Sequence, residues 1–94
     1  MALKTTLFDL ADYLKDDAAI AVYLEDAMET NDPKFIARAI GDVARARGMT
    51  DIAKASGLSR ESLYKALSGD GNPEFATMLR VLNALGLRLN VEPV

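Results

Sequence analysis

The chain is 94 residues long, half hydrophobic and 6% aromatic, with a formal net charge of −3. That is one domain's worth of sequence, with a modest core and a composition far from disorder. It contains neither cysteine nor histidine, which removes disulfides, the usual zinc sites and the Ser-His and Cys-His nucleophile pairs, so neither an enzyme nor a metal or cofactor protein is expected. The longest apolar run, "AAIAVYL" at 18–24, is too short to span a bilayer. The N-terminus has no apolar stretch of signal-peptide type, and a soluble cytoplasmic protein is expected.

Leu7, Leu10 and Leu14 recur at helical spacing and predict a short helix near 9–14 with Asp9 as its cap. A longer helix follows near 16–30. Its inward stripe is Ile20, Leu24, Ala27 and Met28; Glu25, Asp26 and Glu29 fall mostly off it, and Asp16 and Asp17 suit the positive end of the helix dipole. Asp32 caps the next helix and Pro33 opens it, since the first helical position needs no N–H. This helix runs to about Arg47 with Ile36, Ile40, Val43 and Ala44 inside, and Gly48 ends it after Arg45 and Arg47. Two short helices come next, one of about seven residues capped by Thr50 and closed by Gly57, the other over 59–68, capped by Ser59 and stopped by Gly69. Asn72 and Pro73 repeat the cap-plus-proline start for a helix to about residue 85, with Phe75, Met78, Leu79, Leu82 and Leu85 on one face. Met28, Met49 and Met78 read as core or gap-filling residues. In the tail, Leu87, Leu89 and Val91 alternate with polar residues and predict a short strand. A lone strand leaves its backbone unpaired, so it pairs either with the N-terminal "KTTLF" or with the same strand of a second copy.

The charge is unevenly spread. Residues 1–33 carry two basic and eight acidic side chains, a net of −6, whereas residues 34–94 carry nine and six, a net of +3. We therefore divide a single domain, 1–94, into an acidic helical arm (1–32), a helical core (33–86) and a tail (87–94). Salt screens charges beyond about 8 Å, so a local basic face still attracts phosphate in a protein of pI near 4.8. The acidic arm has two readings, a solvated face or a docking surface for a basic partner protein. Its carboxylates lack the dense loop spacing of a calcium site.

The stretch "DIAKASGLSRESLYKALSG" carries the sharpest signal. Ala53 permits close approach of two short helices, Gly57 allows the turn between them, Leu58 plugs it, and Leu63 packs back through Ile52. This is the helix-turn-helix pattern, in which the second helix enters the major groove of DNA and the first crosses the backbone. The residues that packing leaves free are then the DNA-binding candidates. Arg60 matches guanine O6 and N7 with its planar fork, and Glu61 can accept from cytosine N4. Ser62 and Tyr64 offer hydroxyls to bases or phosphates, and Lys54, Lys65 and the N–H groups at Thr50 and Ser59 suit phosphates. Ser68 completes the free face. Each also has a structural reading: Glu61 and Lys65 as a surface ion pair, Thr50 and Ser59 as caps, Tyr64 as half-buried core, Arg60 as a solvated side chain.

The pieces "AIGDVARARGM", "GLSRESLYKALS", "GNPEF" and "ALGL", in that order and spacing, closely resemble the addiction-module antidote proteins, small antitoxins with a Cro/cI-type (lambda-repressor-like) DNA-binding domain. "LADYL…IAVYLEDAMETNDP" resembles them too, so the likeness covers nearly the whole chain. It implies an all-α lambda-repressor-like bundle of five or more helices, a homodimer, and a basic RelE-like mRNA-cleaving toxin as partner. The function it implies is to neutralise that toxin and to repress its own operon by binding double-stranded operator DNA through 59–68. The alternatives are a stand-alone or phage-type transcriptional repressor without a toxin, and a protein-interaction adaptor that binds no DNA.

Overall fold

The computed structural model describes residue 10 and residues 12–94. After helical residues at 10, 12 and 13, five helices follow among the described residues: α1 (Asp17–Glu29), α2 (Pro33–Arg47), α3 (Met49–Ser56), α4 (Arg60–Ala66) and α5 (Phe75–Ala84). The expected Asp9 cap, Leu7 and the "KTTLF" segment lie outside the described residues.

The first two long helices start as their sequences dictate. Asp16 accepts from Ala19 N–H at 3.1 Å, and Asp32 accepts from Lys34 N–H at 3.1 Å with Pro33 as the first helical residue. These carboxylates satisfy donors that a helix start leaves unpaired. The apolar stripes of α1 and α2 then pack against each other. Leu14, Ile20, Ile40 and Val43 are all at most 1% exposed, and the same core takes in Met49 and Ile52 of α3, Leu63 of α4, Leu67 after it, and Val81, Leu82 and Leu85. Met78 sits at its margin, half-buried, and Met28 is half-buried as well. A polar tie reinforces α1 on α2: Tyr23 donates its hydroxyl proton to Asp42 at 2.6 Å, and Asp42 also accepts from Arg45 at 2.8 Å. Desolvation, then the bond to Asp42, pushes the Tyr23 pKa up to about 12. At the other end of α1, Asp17 pairs with Arg47.

Three expectations are corrected. Thr50 is not a cap: Gly48, at φ 105°, donates to Ala44 O and accepts from Ile52 N–H, so one residue ends α2 and begins α3. Thr50 therefore falls inside the first turn, where its side chain makes no cap bond. Asn72 and Pro73 do not open the last helix. Glu74 is extended (φ −65°, ψ 146°) and its carbonyl accepts from Met78 N–H, which sets the start at Phe75. The tail at 87–94 takes no strand form. Leu87 N–H closes α5 by donating to Leu82 O at 2.9 Å, and residues 88–94 make no backbone hydrogen bond with the described residues; a strand takes its form from a ladder partner, and they have none there.

The face of α5 also differs from expectation. Val81 and Leu82 are its buried residues and Leu85, which caps it, is buried too, while Phe75 is 67% exposed and Leu79 is 40% exposed. At 100° per residue, 78, 81, 82 and 85 cluster on one side, and 75 and 79 lie past its edge. Phe75 lines an apolar groove of about 420 Å³ together with Met78 and Leu82 of the core-facing side and with Met28, Ile36, Ile40 and Leu89.

Candidate nucleic-acid interface

Helices α3 and α4 meet across the short connection 57–59. Gly57 has φ 76°, a left-handed conformation that side chains with a Cβ resist. Its N–H donates to Ala53 O at 3.0 Å, and Leu58 N–H donates to the same carbonyl at 3.2 Å, closing α3 as a glycine-terminated helix closes. The Ser56 hydroxyl, buried, donates to Ala53 O and accepts from Leu58 N–H. Leu58 packs against the core, as do Ile52 and Leu63. The angle between the two helices is thus held by a hydrogen-bonded turn outside and by apolar contact inside.

A residue that sequence reasoning missed completes the turn. Arg80, on α5, donates its Nε–H to Ser56 O at 3.0 Å. A cation at a helix C-terminus meets the negative end of the dipole and satisfies an orphan carbonyl. Its guanidinium fills the space beside Gly57, where an added Cβ would lie 2.6 Å from Nη2. No local spacing signals this contact, because 24 residues separate the partners.

All nine expected contact residues, Thr50, Lys54, Ser59, Arg60, Glu61, Ser62, Tyr64, Lys65 and Ser68, are exposed. Helix α4 buries only Leu63 and Ala66, which leaves five of its seven residues facing solvent. Ser59 is the cap: its Oγ accepts from Ser62 N–H at 3.0 Å and donates to Ser62 Oγ at 2.9 Å. Arg60 lies over Tyr64, with Cζ 5.7 Å from the ring centroid and Nη2 donating to the phenol oxygen at 3.4 Å. Tyr64 is 42% exposed, so it is a surface residue and not core. Glu61 and Lys65 form no ion pair, and neither does Arg60, among the described residues. Ser68 is turned back on the chain, donating to Lys65 O at 3.1 Å and accepting from Asp70 N–H at 3.2 Å. The structure thus joins Ser59 with Ser62 and Arg60 with Tyr64, places Lys65 and Glu61 on the same short helix, and holds Thr50 and Lys54 on α3.

Chemically this face offers a planar guanidinium, two ammonium groups, one carboxylate and several hydroxyls. Among the described residues no group of three or more Asp or Glu side chains is placed to hold a metal ion. No helix among them is long and apolar enough to cross a membrane.

Fold and face together define a small all-helical protein that presents a short, polar, sparsely buried helix on a rigid turn. The chain belongs to the family described as "Probable addiction module antidote protein", whose model matches residues 4–93. It is also 47% identical over 85 residues to an uncharacterized protein of Haemophilus influenzae, a match covering 90% of this chain and 88% of the relative. No solved structure matches it.

Proposed function

We propose that this protein is the DNA-binding antitoxin of a type II toxin–antitoxin module. It neutralises a basic RelE-like mRNA-cleaving toxin by direct binding and represses its own operon. Membership of the antidote family along nearly the whole chain carries the antitoxin role. The DNA-binding role is supported by α4, which keeps Arg60, Glu61, Ser62, Tyr64 and Lys65 exposed on a helix anchored by Leu63 and Ala66. In this reading α3 and α4 form a helix-turn-helix of lambda-repressor type. A homodimer presents two copies of α4 to half-sites about one helical turn, roughly 34 Å, apart. Lys54 and Lys65 contact phosphates, and α1, with Glu25, Asp26 and Glu29 exposed, faces the basic toxin.

The test has two arms. A duplex from the promoter upstream of the gene should shift with the protein at low salt, and affinity should fall as salt rises, because phosphate contacts release counterions. Expression of the adjacent gene alone should arrest growth, and co-expression of this protein should restore it. A promoter shift beside a harmless neighbouring gene supports a stand-alone repressor instead. Growth rescue without any shift supports an adaptor that binds only protein.

A further inference from the structure

We infer that Tyr64 is a positioning residue for Arg60, so that the Arg60–Tyr64 pair acts as one pre-set reader of a guanine in each operator half-site. The inference rests on the DNA-binding reading above and goes beyond it by assigning a second residue that sets the preference of Arg60 for guanine.

Arg60 opens α4 and Tyr64 follows four residues later, so both project from one helix face. Nothing else among the described residues orders Arg60. Its guanidinium has no carboxylate partner, and its one polar contact is the phenol oxygen of Tyr64 at 3.4 Å. The ring face, 5.7 Å from Cζ, adds the attraction of a cation for an aromatic quadrupole. A guanidinium carries five N–H donors in a rigid fork. Tyr64 uses one of them and one face of the plane. A parallel pair of N–H groups remains for O6 and N7, the two major-groove acceptors of guanine.

The neighbouring hydroxyls do not compete for this role. Ser59 and Ser62 are hydrogen-bonded to each other, and Ser68 is engaged in its own turn. The Tyr64 phenol oxygen accepts from Arg60 only at 3.4 Å, a long contact, so the ring face supplies most of the aiming of the fork. A long, otherwise free arginine loses rotamer freedom when it docks; the stack removes part of that loss before DNA arrives.

The experiment uses the full chain and a duplex enriched from a random-sequence pool for binding to it. Each guanine in turn is replaced by 7-deazaguanine, which lacks the N7 acceptor. Wild type should lose roughly tenfold in affinity at one guanine per half-site, the scale of a broken bidentate contact. Tyr64→Phe retains the ring and should keep that sensitivity, whereas Tyr64→Ala should lose most of it with the salt dependence unchanged. Tyr64→Leu, which keeps apolar bulk without a π face, should behave as alanine does, and its circular dichroism and melting temperature confirm folding. Arg60→Met, which keeps the stem without any donor, should also lose the sensitivity. Full 7-deazaguanine sensitivity in Tyr64→Ala and Tyr64→Leu, or in Arg60→Met, overturns the paired reader while leaving DNA binding intact. A pool that yields no enriched sequence overturns the DNA-binding reading and the reader with it.

Discussion

Among the described residues two surfaces are left open, and they are chemically opposite. The α4 face carries a guanidinium, a lysine, a carboxylate and hydroxyls over a base of only two buried side chains. The groove between α2 and α5 is lined by Met28, Ile36, Ile40, Phe75, Met78 and Leu89, with Phe75 and Leu89 exposed. Packing leaves the first open because its residues lie off the apolar stripe of their helix. It leaves the second open although its residues are apolar, because Phe75 lies past the edge of the α5 side that carries Val81 and Leu82, and only Leu82 of that pair lines the groove. The contrast teaches that exposure has two origins here, polarity set along one helix and apolar surplus set by how helices are rotated against each other.

The largest effect expected from breaking this contrast comes from the anchor of α4. Leu63 is fully buried, so Leu63→Ala should cost about 2–5 kcal/mol in urea unfolding. Phe75→Ala, in the open groove, should stay within about 0.5 kcal/mol of wild type. Equal losses for the two would make the groove part of the core. A smaller effect should follow Gly57→Val. The branched side chain must adopt φ 76° and displace the Arg80 guanidinium, at a cost of about 1–3 kcal/mol. DNA affinity should fall further than stability alone explains, since α4 is aimed by that turn. Unchanged stability would show that the turn relaxes freely.

The smallest effect concerns the tie between α1 and α2. Tyr23→Phe should cost about 1 kcal/mol, because Asp42 keeps Arg45 as a donor. The same tie gives a pH signature. The folded Tyr23 pKa, about 12, lies above the ordinary value of 10.0, so the unfolded chain loses this proton first. The stabilisation is complete below pH 10 and is lost as pH rises toward 12. Wild type should therefore lose its advantage over Tyr23→Phe across that window in pH-dependent melting. A constant difference between the two would assign the alkaline loss elsewhere.

Much of the architecture was legible because it is local. Asp32 and Ser59 are caps whose side chains reach N–H groups two or three residues on, and Gly48 and Gly57 end helices through positive φ. The exposure of five of the nine candidates was legible for the same reason: the helical period of 60–66 puts Leu63 and Ala66 inside and Arg60, Glu61, Ser62, Tyr64 and Lys65 outside. Thr50 and Asn72–Pro73 misled because each is a good cap by type. A helix begins where the chain first enters helical dihedrals, and Gly48 moved that point forward for α3 while extended Glu74 moved it back for α5.

By itself, then, the sequence determined where most helices start and stop and which side of α4 stays polar, since these depend on residues within about one turn of each other. Only the tertiary structure decided that Arg80 seals the α3–α4 turn from 24 positions away, that Tyr23 ties α1 to α2 through Asp42, and that Phe75 lines an open groove instead of filling the core. Each depends on the angle at which helices distant in sequence come to pack. That angle is set by the summed fit of all their side chains, which no single stretch of the sequence encodes.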